Sequence, residues 1–257
     1  MSFAVSISIL SLCQAGLVAL PRPRRLAWLD AFRSPWWALV PALSIVFVIG
    51  IVAWEGESAT VLSWLALVAV PPFAALALGW LVRGGRPRWA VAVVPLFALA
   101  GVSPASLIGE AAATALTGLG CVGLGWLLAS VAPAFWLRLG IYAMAAVDTW
   151  FVTADLLQGP NAVLTAAAPA ELPRLQVVHF GDAVMGFGDF FVAAALGCLL
   201  AGGSRPSQSR AAMLVAVLAL AFDLLFFAVD TLPATVPVAV ALALVQLSRR
   251  KRLVACT

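Results

Sequence analysis

The sequence predicts an all-α, polytopic membrane protein, and three observations carry that prediction. Hydrophobic residues occupy 64 % of the 257 positions and charged residues only 10 %, against roughly one-quarter charged in an ordinary soluble domain. The apolar stretches run unbroken, where lipid-facing strands would alternate, and hydrocarbon does not tolerate open strand edges. Charged residues gather between these stretches and almost vanish inside them. Strands are therefore not expected. No stretch remains for a separate water-soluble core, so residues 1–257 are read as a single membrane domain.

A bilayer core takes about 20 apolar residues per helix, and windows of that size fall at 2–20, 36–54, 60–82, 89–109, 112–131, 135–155, 184–202, 211–229 and 232–248. That predicts nine spans. The first, "MSFAVSISILSLCQAGLVAL", lacks the basic n-region of a signal peptide and has no small residue ahead of Cys13, so it counts as a span. Trp36, Trp37 and Trp54 bracket the second, Trp80 closes the third, and Trp89 and Trp136 mark the fourth and sixth, as interfacial tryptophans do. Pro71-Pro72 predicts a kink in the third. "GLGCVG" at 118–123 has the spacing of a dinucleotide-binding turn, but no strand precedes it. It reads instead as close helix packing through Gly118, Gly120, Gly123 and Gly125.

The charges test this layout. Alternate loops carry "PRPRR" with Arg33, then "RGGRPR", Arg138, Arg205 with Arg210, and "RRKR" at 249–252, which together hold 14 of the 15 basic residues. The intervening loops hold Glu55 and Glu57, then Glu110, then Asp155, Glu171 and Asp182, then Asp230. By the positive-inside rule the N-terminus is outside and the C-terminus inside. The pI near 9.3 thus reflects loop arginines, not a nucleic-acid surface. Cys13, Cys121, Cys198 and Cys256 form no CxxC pair and read as packing residues. His179 is the only histidine, and one histidine does not make a metal centre. Neither metal nor cofactor is implied.

Three carboxylates remain inside spans: Asp148, Asp189 and Asp223. An ionisable group in hydrocarbon is a functional candidate by default, because leaving it charged there costs several kcal/mol. Each lies seven residues from an outer-side acid, roughly 10 Å deep at 1.5 Å per helical residue, so all three fit one layer. Two such carboxyls brought together hold one proton between them. One then acts as base on water while its partner protonates a carbonyl oxygen.

Three motifs carry a resemblance. "VDTW" on the sixth span, "GFGDFF" on the seventh and "LPATVP" opening the ninth resemble, in order and position, the signatures of the presenilin and signal peptide peptidase family of intramembrane aspartic proteases. The likeness covers about residues 134–248; the first five spans match in number. The resemblance implies a nine-helix presenilin-like fold, with a five-helix part at 1–133 and a catalytic four-helix part at 134–257. It implies Asp148 and Asp189 as the catalytic pair, with Gly186, Phe187, Gly188, Pro233, Ala234 and Thr235 meeting substrate. Val147 stands where the family has tyrosine, and Thr235 where it has leucine. The substrates implied are transmembrane peptides, single-span proteins or leftover signal peptides, oriented with their N-termini on the cytoplasmic side. Alanine-rich, arginine-over-lysine usage points to a bacterial-type homologue in a cytoplasmic membrane.

Several readings stay open. The long stretch from Leu156 to Phe180 serves as a gate or merely as a connection. Asp223 is a structural, cavity-facing acid or one coupled to the pair. Arg249 to Arg252 act as a topological anchor beside anionic lipid. A prepilin-peptidase-like protease also uses GxGD, and "GDFFVAAALG" echoes its motif, although Phe191 stands in place of its lysine. A non-enzymatic transporter would use the three aspartates as a proton or cation relay.

Overall fold

The structure, a computed structural model, describes residues 1–24, 26–39, 43, 57–156, 172–229 and 231–254. Most of the predicted span at 36–54, residues 157–171 of the proposed gate, and Asp230 lie outside the described residues. The fold is mostly helical: α1 (Phe3–Ala19), α2 (Glu57–Leu76), α3 (Val93–Val102), α4 (Leu107–Val131), α5 (Ala134–Thr153), α6 (Phe187–Ala201), α7 (Arg205–Asp223) and α8 (Val236–Val254). Among the described residues, three helical stretches are long and apolar enough to cross a membrane, Thr60–Leu81, Leu107–Val131 and Arg205–Phe227.

Two windows are corrected. The one at 89–109 is broken: a 3-10 turn at Pro87–Ala92 leads into α3, which stops at Val102. Ser106 then caps α4 by accepting the Gly109 N–H at 3.1 Å. A serine that satisfies an orphan donor outcompetes one more turn of the previous helix, and Pro104 offers no N–H to continue it. The window at 184–202 begins too early, because α6 starts at Phe187. α2 runs through Pro71 and Pro72 and widens into a π turn at Ala77–Leu81.

The expectation of no strands is also overturned. β1 (Val177–Phe180) and β2 (Ala183–Gly186) form an antiparallel hairpin directly ahead of α6. Phe180 pairs with Ala183, so Gly181-Asp182 is a two-residue turn, and Gly181 takes φ +58°. Glycine is the residue that adopts this at the first turn position. The hairpin lies against α4 and α1. Glu110, near the start of α4, holds the turn with both oxygens. Oε2 accepts the Gly181 N–H at 2.7 Å and Oε1 meets His179 Nδ1 at 3.0 Å. Glu110→Ala is therefore expected to leave the helices folded but to loosen the hairpin by about 2 kcal/mol. Limited proteolysis within 177–186 should speed up relative to cleavage elsewhere; unchanged rates would refute the clamp.

α6 is the central helix. After Asp189 it carries no charge, and Phe190, Val192, Ala193, Ala194, Ala195 and Leu196 are all buried, as befits a helix apolar all round. Glycines let its neighbours close in. A Cβ on Gly125 of α4 would stand 3.0 Å from the Ala195 nitrogen, and Gly120 and Gly123 of the same helix meet Val70 and Phe73 of α2. The "GLGCVG" run is thus a packing surface for helices on two sides. α1 packs on α6 and α7, so the N-terminal and C-terminal parts share one core.

α5 ends two residues short of its window. Asp155 adopts φ +55°, the Asp155 N–H reaches the Val152 carbonyl at 3.2 Å, and the Leu156 N–H reaches that of Phe151 at 3.0 Å. This is a Schellman stop with aspartate in the left-handed position, which a short polar side chain tolerates. It leaves Asp148 in the penultimate turn of α5, facing the bundle.

Candidate active site

Asp189 is the third residue of α6, and its position follows from the local sequence. Gly186 ends β2 and caps the helix; the Asp189 carboxyl reaches back so that Oδ2 accepts the Gly186 N–H at 3.0 Å. An acid at this position satisfies one of the donors a helix start leaves free. The side chain is thereby held at the junction of strand and helix. The depth reckoned from Asp182 does not apply, because four of the intervening residues are strand.

Asp148 reaches the same place from α5. The Thr235 hydroxyl donates to Asp148 Oδ2 at 2.6 Å, the short distance of a hydrogen bond to a carboxylate. Thr235 is 2 % exposed and lies in the turn that opens α8. Pro233, which is buried, and Pro237 offer no backbone N–H there, so the helix proper begins only at Val236. The Asp148 and Asp189 carboxyls interact electrostatically across the gap between α5 and α6. Thr235 thus makes a contact that a leucine at this position would lack the oxygen to make.

The sequence reading missed Gln14. Its side chain on α1 is 1 % exposed, and Nε2 donates to the Asp189 carbonyl at 3.2 Å and to the Ala234 carbonyl at 2.9 Å. One amide therefore ties the base of α6 to the turn before α8, next to the residue that holds Asp148. A signal existed: an uncharged amide in an apolar span must find partners inside the protein.

The remaining predicted residues fall around this point. Gly186 is exposed, and a Cβ on Gly188 would meet nothing within 4 Å, so the backbone beside Asp189 faces open space. Phe187 is half-buried against the apolar cluster of α2, α3 and α4. Asp223 is not drawn into the pair. It ends α7 and shares a hydrogen bond with Ser11 of α1, while its Oδ2 is buried without a partner among the described residues. Cys13, Cys121 and Cys198 are free thiols. His179, on β1, is half-exposed and serves the hairpin clamp.

Side chains from α5, α6 and the α8 turn thus bring two carboxyls beside an open strip of backbone, and Gln14 of α1 ties together the backbone of α6 and of the α8 turn, 220 residues away in sequence. No family model, curated protein or solved structure matches the chain.

Proposed function

We propose that the protein is an intramembrane aspartic protease that hydrolyses peptide bonds within transmembrane segments or remnant signal peptides. The observation that carries this reading is that Asp148 and Asp189, on neighbouring helices, are close enough to interact electrostatically, with Thr235 of the third motif bonded to the first aspartate. The membrane setting is supported by the three long apolar helices, and the alternating loop charges favour the N-outside, C-inside orientation.

In the proposed reaction one carboxylate takes a proton from water, whose oxygen bonds to the scissile carbonyl carbon. The other carboxyl gives its proton to the carbonyl oxygen, yielding a gem-diol. In the second half the carboxyl that took the water proton gives it to the amide nitrogen. The C–N bond breaks, and the other carboxylate recovers a proton from a diol oxygen. A new carboxyl and a new amine result, and the pair is restored.

A helical substrate hides its peptide bonds in its own hydrogen bonds, so cleavage requires an extended stretch and something to pair it. β2 has β1 on one side only among the described residues, and its free edge, where Val184 is 46 % exposed, runs directly into Asp189. Strand addition along that edge would present an extended backbone to the acids across Gly188.

The test is hydrolysis of a model transmembrane peptide by purified full-length protein in bilayer discs, run in ¹⁸O water. Two fragments are expected, with heavy oxygen in the new carboxyl terminus. A panel of peptides left intact, with proton-driven uptake appearing in reconstituted vesicles instead, would replace this reading with a transporter. Gln14→Leu is expected to lower kcat about tenfold while leaving KM and folded yield near wild type, since a positioning amide of this kind contributes roughly 1–2 kcal/mol. A change confined to KM would move Gln14 from positioning the acids to binding substrate.

A further inference from the structure

A cleft of mixed character lies away from the aspartates, at the end of the bundle where α1 ends and α5 begins. One part is lined by Arg22, Arg24 and Arg33 and reaches Ala134, the first residue of α5. The other is an open apolar recess of about 200 Å³ walled by Leu76, Trp80 and Leu81. Arg24, Leu26 and Trp126 line both, so the two parts adjoin.

The fold builds this place with some care. The chain after α1 is bridged to the chain after α2, with the Arg22 N–H on the Leu81 carbonyl at 2.8 Å and the Arg83 N–H on the Leu20 carbonyl at 3.0 Å. Arg22 Nε donates to the Trp80 carbonyl at 2.7 Å, which fixes that guanidinium, and its two terminal nitrogens have no hydrogen-bond partner among the described residues. Trp126 Nε1 donates to the Arg24 carbonyl at 2.9 Å, which pins the backbone that carries Arg24. The one carboxylate in the lining is Asp30, exposed and 3.7 Å from Arg33. Among the described residues, Arg22 and Arg24 make no ion pair. Pro133 caps α5 without a side-chain hydrogen bond, so the first N–H groups of that helix add to the positive field at Ala134.

Three guanidiniums against one carboxylate select an anion, and the planar fork of arginine suits phosphate oxygens. The adjoining apolar recess then distinguishes a lipid from a free ion. It is smaller than pockets that enclose whole drug-sized ligands, so it takes part of a chain that continues into the bilayer. We propose that this cleft binds an anionic glycerophospholipid, with the phosphate at Arg22, Arg24 and Arg33 and an acyl chain against Leu76, Trp80 and Leu81. The inference does not depend on the proteolytic reading.

Native mass spectrometry of the purified full-length protein, with phosphatidylglycerol, phosphatidylcholine or inorganic phosphate as probe, tests it. Phosphatidylglycerol should be retained well above phosphatidylcholine, and its affinity should fall roughly fivefold for Arg24→Gln and again for Arg33→Gln, at about 1 kcal/mol per arginine. Arg24→Lys should keep most of the binding. Equal retention of the two lipids by the wild type would overturn the proposal whether or not the variants fold. Inorganic phosphate at millimolar concentration displacing phosphatidylglycerol completely would reduce the site to one for a free anion and overturn the lipid assignment.

Discussion

Asp148→Asn and Asp189→Asn are each expected to abolish cleavage of a model transmembrane peptide, with rates lower by roughly a thousandfold or more. Asparagine keeps the volume of aspartate and retains a carbonyl oxygen. It can therefore still accept the Thr235 hydroxyl at position 148, or the Gly186 N–H at position 189. What it cannot do is exchange a proton with water or with the scissile carbonyl. Folded yield and thermal stability should stay close to wild type. The doubly substituted protein should be no slower than either single one, because two groups that act as a unit do not lose activity additively. Full activity in either single variant would remove the pair from the chemistry. Asp223→Asn separates a third role: activity near wild type is expected from an acid that bonds to Ser11 and not to the pair.

Gly197→Val is expected to remove most of the folded protein. A Cβ at this position of α6 would stand 2.6 Å from the Leu17 carbonyl oxygen and 2.8 Å from that of Val18, both in the backbone of α1. A flexible side chain would move aside; two carbonyls in the last turn of a helix cannot. The contact is closed further by Gln208, whose Nε2 donates to the carbonyls of Val18, Pro21 and Gly197, at 2.9, 2.9 and 3.3 Å. Forcing α1 away from α6 breaks that junction and withdraws Gln14 from Asp189 and Ala234. The expected loss is about 3 kcal/mol or more, read as a lowered melting temperature and an aggregated fraction on size exclusion. Gly188→Ala is the contrast, since its Cβ would meet nothing within 4 Å; its fold should survive while substrate approach is impeded. A wild-type melting temperature for Gly197→Val would mean that α1 does not seat against α6 here.

These two positions illustrate how far the sequence could be read. That Asp148 and Asp189 are candidates was legible because a carboxylate in an apolar run is conspicuous in one dimension. That glycines in α4 serve close packing was legible from their spacing and the absence of a strand before them. Gly197 looked no different from its neighbours, because its importance lies in the two α1 carbonyls opposite it. The hairpin was hidden for a related reason. "VVHF" and "AVMG" are four-residue runs, too short to show alternation; the first ends the long connection and most of the second falls in the window of the adjoining span.

The sequence by itself determined the coarse class, a mostly helical chain with helices long and apolar enough to cross a membrane: unbroken apolar runs and loop charges are properties of composition and order, and hydrophobic transfer acts on them wherever the helices finally stand. Only the tertiary structure decided that Gln14 of the first helix braces the site, that Thr235 holds Asp148 through a hydroxyl, and that Asp223 stands apart. Those outcomes depend on which helix faces meet, and hydrogen bonds between residues 87 to 220 positions apart leave no local trace in the order of residues along the chain.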